Sequence, residues 1–261
     1  MSLENNITVL KIGGSAVTDK SDKSGFFKSD EMKRIAKEIA MSEDSLKNGL
    51  IIVHGAGSYG HTHAKEYGLD KAFDAEGIMI THDSVRKLNE FIVSELRNEG
   101  IKAIPLNPFA FSVCSDGRLT EMFTNQIKLM VKHGLVPVLH GDVCMDEKRG
   151  ICILSGDQSL PYIAAVSGAK NVGLSSATDG VLDGHGKVIK EINSENFEYY
   201  KQFIGGSAGT DVTGGMLGKV KEMLMLAEDY KIESCIFNAN TPGNIQKYLS
   251  GEELGTKISY K

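Results

Sequence analysis

Four glycine-bearing segments carry charged side chains at spacings suited to holding phosphate. Lys11 heads K-I-G-G-S (11–15), so its ammonium leaves the chain where Gly13, Gly14 and Ser15 turn it. H-G-A-G-S-Y-G-H (54–61) puts His61 one residue beyond a loop containing Ala56, Gly57 and Gly60, at an expected helix start. S-G-D (155–157) sets Asp157 beside Gly156, and G-G-M-L-G-K (214–219) sets Lys219 in a helix opening after Gly215. Gly-rich turns and helix N-termini aim unpaired N–H groups outward, which suits anions. One such loop reads equally well as a tight turn. Four in one chain, with lysine beside two of them, point to several phosphates lying side by side.

Gly55, Gly57 and Gly60 also spell G-x-G-x-x-G. A dinucleotide fold places that loop after its first strand, with an acidic residue closing a second strand about 20 residues on. Here the loop follows the second strand, and Asp74 and Glu76 close no β-branched run. The segment is read as a phosphate loop of another kind.

The elements that must position these groups are legible as short β-branched runs at 7–12, 50–54, 102–106, 135–140, 171–175 and 234–238, most of them followed by a helical pattern. That alternation predicts parallel strands with crossover helices. Val85, Leu88, Phe91, Ile92 and Leu96 share one helical face, as do Ile127, Met130 and Val131, and again Val220, Met223, Leu224 and Ala227; these stripes are read as core. Two stretches, 140–157 and 180–192, break the rhythm with polar turns and predict hairpins added to the sheet. The fold class is α/β, a three-layer αβα sandwich with an open, mainly parallel twisted sheet, and residues 1–261 are read as one domain.

The formal net charge of −5 argues against a nucleic-acid partner, which calls for a basic field. No run approaches about 18 apolar residues, so no membrane span or signal segment is expected and the location is read as cytoplasmic. Cys114, Cys144, Cys152 and Cys235 are scattered, with no C-x-x-C, and are read as reduced thiols; no metal site is assigned to protein ligands.

In order along the chain, KIGGSAVTDK (11–20), HGAGSYGH (54–61), HGD (140–142), LSGD (154–157) and DVTGGMLGK (211–219) resemble the amino acid kinase superfamily, most closely its isopentenyl phosphate kinase family. The resemblance spans essentially the whole chain. It implies that the C-terminal half holds ATP and the N-terminal half holds isopentenyl phosphate. It further implies that the γ-phosphoryl of Mg-ATP passes to that acceptor, and that the enzyme is a homodimer. In archaea this step belongs to a variant mevalonate route to isoprenoids. A phosphate-monoester acceptor is largely ionised at neutral pH, so no general base is needed. The difficulty is electrostatic, since each like-charge pair about 4 Å apart costs roughly 4 kcal/mol at an effective dielectric of 20.

Under this resemblance Lys11 reaches the phosphoryl in transfer, Lys20 adds charge stabilisation, His61 donates to the acceptor phosphate, and Asp157 orients Lys11. ATP is expected at Lys11, Gly13, Gly14, Ser15, Gly57, Asp179, Gly215 and Lys219, with Mg2+ on its phosphates. The acceptor is expected at Ala56, Gly60, His61 and Gly156, with Ile78 against its tail. One departure stands out: where relatives read T-D-V-D-G-V, this chain reads S-A-T-D-G-V (176–181), so Ala177 replaces an acidic residue and Asp179 persists. A kinase for fosfomycin or another small phosphonate, and a non-catalytic nucleotide sensor on the same fold, are the rival readings.

Overall fold

Strands buried on both faces read as unbroken apolar runs, and the six predicted strands all form, although the one at 103–105 lies at the sheet edge with Pro105 exposed. The structure is a computed structural model describing residues 6–19, 26–204 and 215–261. The N-terminal part runs β1 (Thr8–Ile12), α1 (Gly14–Val17), α2 (Ser29–Ala40), α3 (Glu43–Asn48), β2 (Leu50–His54), α4 (Gly57–Glu66) and α5 (Ala75–Asn98). Then follow β3 (Ala103–Pro105), β4 (Ser112–Ser115), β5 (Arg118–Met122), α6 (Asn125–Lys132), β6 (Val136–His140), β7 (Asp142–Asp146), β8 (Gly150–Leu154) and α7 (Gly156–Ser167). The C-terminal part runs β9 (Asn171–Ser176), β10 (Glu191–Ile192), α8 (Phe197–Lys201), α9 (Gly215–Tyr230), β11 (Ser234–Asn238), α10 (Asn244–Leu249) and β12 (Thr256–Ile258).

Eight strands make the main sheet in the order β10-β12-β11-β9-β1-β2-β6-β3. All neighbours are parallel except β11 and β12. The chain leaves β1 toward β2 on one side and returns on the other at β9, so the order reverses at β1. In open α/β sheets such a reversal opens a crevice at the carboxyl ends of the strands.

Alternation along the strands divides the core. Val9, Ile51, Val53 and Leu139 face one cluster shared with Leu160 and Ile163 of α7 and Val220 and Met223 of α9. Leu10, Ile12, Ile52 and Val138 face the other, shared with Met32 and Ile35 of α2 and Leu88 and Ile92 of α5. Phe91, read from the sequence into the same α5 stripe, proves to be partly exposed. Because side chains alternate with period two, Lys11 shares the face of Val9 and points toward α7. His54 shares the face of Ile52 and points toward α5.

Three features depart from the sequence reading. The hairpin at 140–157 forms as β7 and β8, but it belongs to a separate four-stranded sheet, β5-β4-β7-β8, not to the main one. That sheet also gathers three of the cysteines, Cys114, Cys144 and Cys152, all buried and all free. The hairpin predicted at 180–192 shrinks to one antiparallel bridge, Leu182 to Val188, and its tail β10 pairs parallel with β12. Its centre, Gly184–Lys187, is exposed, and before β10 only Val181 and Ile189 reach the core, too little apolar surface to hold two strands. Helix α2 was not foreseen, although Met32, Ile35, Ala36 and Ile39 form its buried stripe.

Candidate active site

Lys11 ends its course at Asp157, 146 residues away in sequence, and the two form a buried ion pair with 3% and 5% of each residue exposed. The second carboxylate oxygen of Asp157 lies 3.2 Å from Lys219 Nζ. Ser155 caps α7 by accepting the Gln158 N–H at 3.2 Å, which leaves Asp157 in the helix's first turn, where the dipole favours an anion. Burial alone would push the Asp157 carboxyl up; the Lys11 and Lys219 ammonium groups outweigh it and hold the carboxyl below its ordinary value. Lys11 and Lys219 thus bring two ammonium groups to one carboxylate. Such a cluster attracts phosphate and keeps both lysines fixed while doing so.

The floor beside this cluster is main chain. Gly14 lies so close to the second loop that a Cβ on it would sit 2.6 Å from Gly57 N and 2.8 Å from Gly57 Cα. A Cβ on Gly156 would lie 3.1 Å from both the His54 carbonyl and Lys11 Cε, and one on Gly141 would lie 3.1 Å from Gly156 N. Thr18 ties the first two loops together: its Oγ1 donates to the Gly14 carbonyl at 2.9 Å and accepts the Ser58 N–H at 3.2 Å. Gly57 has φ +55°, a conformation glycine adopts without a Cβ penalty. Gly13 N–H donates to Ser175 Oγ at 3.1 Å, joining the ends of β1 and β9.

Helix α4 begins at Gly57, not after Gly60 as the sequence reading had it. Gly60 therefore lies within the first turn, where a Cβ would meet Ala56 Cβ at 2.5 Å and Val85 Cγ1 at 3.0 Å. Its lack of a side chain lets α4 pack closely on α5. His61 stands a turn inside the helix and is half-buried. Ile78 joins Ala64, Leu69, Val143 and Ile151 in a small apolar cluster bounded by α4, α5 and the β7–β8 hairpin, with Phe109 packed against it. At its edge, His82 Nδ1 donates to Asp142 at 2.8 Å, and that hydrogen bond holds the imidazole above its ordinary pKa. Asp179 is exposed and accepts from Asn238 Nδ2 at 2.8 Å, linking the ends of β9 and β11. Lys20 lies outside the described residues, as does Gly214.

Beneath the loops after β2 and β6 lies a polar pair that the sequence reading took only as packing in the case of His54. His54 and His140 are fully buried with rings stacked 5.5 Å apart. His54 Nδ1 donates to the Gly55 carbonyl at 3.0 Å, which leaves Nε2 to accept from Asn89 Nδ2 at 3.0 Å. His140 Nδ1 donates to the Gly141 carbonyl at 3.1 Å. Each imidazole thus steadies the first peptide of a glycine loop. Burial pushes both down to about 4, so both are neutral at pH 7.

The unfolded chain, with ordinary histidines near 6.5, binds protons that the folded chain refuses between pH 6.5 and 4. Stability from this pair is therefore complete above pH 6.5 and is lost as pH falls to about 4, at a cost of at most roughly 3 kcal/mol per histidine. His82 runs the other way, with a contribution present at low pH and lost as pH rises. Urea midpoints should fall steadily from pH 6.5 to 4, and the His54→Gln/His140→Gln double variant should flatten that slope. An unchanged slope in the double variant would contradict the assignment.

The amino acid kinase family model matches residues 6–238. Over 97% of its length, this chain is 36% identical to the isopentenyl phosphate kinase of Methanothermobacter thermautotrophicus, of which 99% is covered. It is likewise 36% identical to the isopentenyl phosphate kinase of Methanocaldococcus jannaschii, again over 97% of this chain and 99% of that one. A solved isopentenyl phosphate kinase structure superposes with a TM-score of 0.83 at 32% identity, covering 97% of this chain and all of the other.

Proposed function

This chain belongs to the amino acid kinase family, and from that membership and its phosphate-binding crevice we propose that it transfers the γ-phosphoryl of ATP to isopentenyl phosphate, yielding isopentenyl diphosphate and ADP. The observation that carries the reading is the Lys11–Asp157–Lys219 cluster set against a floor of glycine main chain. The acceptor oxygen is already ionised, so the protein's work is to position two anions in line and to cancel their repulsion. The neighbouring groups fit that division of labour. Asp157 has both oxygens engaged by ammonium groups, and His54 and His140 stay neutral with their Nδ1 protons committed to loop carbonyls. None of the three is arranged as a base.

Lys11 sits where β1 meets the Gly13-Gly14 turn and serves the phosphoryl in transfer; Lys219 holds the β- and γ-phosphates of the nucleotide. His61 donates to the acceptor phosphate, and the Ile78 cluster receives its apolar tail. Lys20 completes the positive field. Both oxygens of Asp157 being taken, the residues fit a Mg2+ that would be carried by the phosphate oxygens of ATP and by water, and that would supply charge neutralisation. The domain extends over 1–261, a reading supported by core clusters on both faces of one continuous sheet. No helix of the described residues is long and apolar enough to cross a membrane. A cytoplasmic location goes with this reading and is supported by the four free cysteines; a homodimer is supported by the family pattern.

ADP release measured with isopentenyl phosphate, dimethylallyl phosphate, fosfomycin, glutamate, aspartate, carbamate and UMP tests the proposal. The expected result is highest kcat/KM on isopentenyl phosphate; preference for any of the last five acceptors overturns it. In the same assay His61→Ala should lower turnover by about a hundredfold with ATP binding retained. Unchanged turnover would remove His61 from the site.

A further inference from the structure

The β4–β5 hairpin carries none of the phosphate-binding motifs, yet it is tied to both helices that bear the charged cluster. Its turn is Asp116-Gly117, both with positive φ (53° and 80°), the conformation of a tight two-residue hairpin. The turn is held rigidly. The Asp146 carboxylate accepts the N–H groups of Asp116 at 3.1 Å, Gly117 at 2.7 Å, Lys148 at 2.9 Å and Arg149 at 2.9 Å, stitching the β4–β5 and β7–β8 turns into one unit.

From this unit the hairpin reaches the two helices. Leu119 N–H donates to Gln158 Oε1 at 2.8 Å, and Gln158 Nε2 donates back to the Gly117 carbonyl at 3.1 Å. Gln158 is the residue after Asp157. Arg118 forks onto Glu222 of α9, with its two terminal nitrogens 2.5 and 3.0 Å from the two carboxylate oxygens. Glu222 stands about one helical turn beyond Lys219. The hairpin thus grips α7 next to Asp157 and α9 next to Lys219, and the 3.2 Å contact between those two groups lies between the grips.

We propose that the β4–β5 hairpin is a brace that sets the spacing of α7 and α9, and hence the placement of Lys219 against Asp157, with Arg118 and Gln158 as positioning residues for phosphoryl transfer. The proposal rests on the reading above that Lys219 holds the nucleotide phosphates. A lysine is a point charge on a flexible stem, so its position depends on where its backbone is anchored and on what orients its head. A displacement of about 1 Å at such a group can cost on the order of a hundredfold in rate. The brace itself contributes modestly to folding: Glu222 is largely buried, but Arg118 is half exposed and solvent screens the pair, which sets its worth near the upper end of the roughly 0.2–1 kcal/mol of a surface ion pair.

Kinetics and ATP binding of Arg118→Ala provide the test, with the wild-type protein assayed alongside. A fall in kcat of about five- to tenfold and a similar rise in ATP KM are expected, with the acceptor KM unchanged and Tm within about 3 °C of wild type. Gln158→Ala should show the same split. Reversing the pair, Arg118→Glu with Glu222→Arg, should recover most of the loss, whereas either reversal alone should not. Unaltered kcat and ATP KM in a folded Arg118→Ala protein overturn the brace, as does a loss that the reversed pair fails to restore. ATP affinity measured without any acceptor separates this proposal from the functional one. If wild type binds ATP but phosphorylates none of the acceptors, the functional reading fails, and weaker ATP binding by Arg118→Ala would still support the brace.

Discussion

Lys11→Met should abolish nearly all turnover, by about a thousandfold, a loss of roughly 4 kcal/mol of transition-state stabilisation. The ammonium sits near the end of β1 in the buried cluster and, under the proposed function, is the group that follows charge as it develops on the phosphoryl. Its removal also leaves Asp157 buried with one lysine partner in place of two. Breaking a buried pair from one side typically costs about 3–5 kcal/mol. Activity loss and destabilisation would therefore arrive together, and a second variant separates them. Lys11→Met/Asp157→Asn removes both charges, so its Tm should recover toward wild type while kcat stays low. Retention of kcat within tenfold in Lys11→Met, measured by ADP release, would show that this lysine is only a partner for Asp157.

Gly14→Ala should be nearly as damaging, by steric means alone. The new Cβ would stand 2.6 Å from Gly57 N and 2.8 Å from Gly57 Cα, both main-chain atoms that cannot rotate away. Relief requires the loops after β1 and β2 to separate, and under the proposed function those loops serve the two phosphates. Overpacking of this kind costs about 1–3 kcal/mol in stability. A separation of even 1 Å between the reacting groups should lower kcat by on the order of a hundredfold. Gly100→Ala is the control, because Gly100 has φ +80° with nothing within 4 Å of a Cβ. It should lose about 1 kcal/mol from backbone strain and keep its kcat. Equal kinetic losses in the two variants would show that the Gly14 contact has no special bearing on transfer.

The parts of this architecture legible in the sequence are those with strong local signals. Buried parallel strands produce β-branched runs, and glycine loops at their ends announce themselves by composition, so β1, β2, β6, β9 and β11 were placed nearly to the residue. The β4–β5 hairpin was missed because β5 is mostly exposed and lacks apolar alternation, although Asp116-Gly117 is a strong turn signal. Sequence could nominate Lys11, Asp157 and Lys219 separately. That one carboxylate bridges both lysines is a contact across 146 and 62 residues, which no local pattern encodes. The stacked His54 and His140 were likewise invisible, since each ends its strand like any apolar residue and only the pairing of β2 with β6 makes them neighbours. Gly60, grouped by eye with the phosphate loop, serves helix packing for a reason visible only once Val85 is beside it.

The crevice floor, built from Gly13, Gly14, Gly55, Gly57, Gly141 and Gly156, has a consequence for how such proteins diversify. A surface without side chains offers selection nothing to vary, and most additions to it would jam the machinery. Under the proposed function, new acceptors would be acquired through the apolar cluster of Ala64, Leu69, Ile78, Val143 and Ile151 between α4, α5 and the β7–β8 hairpin, with His61 kept, while the transfer chemistry stays as it is. Descendants of this fold would accordingly differ in what they phosphorylate long before they differ in how.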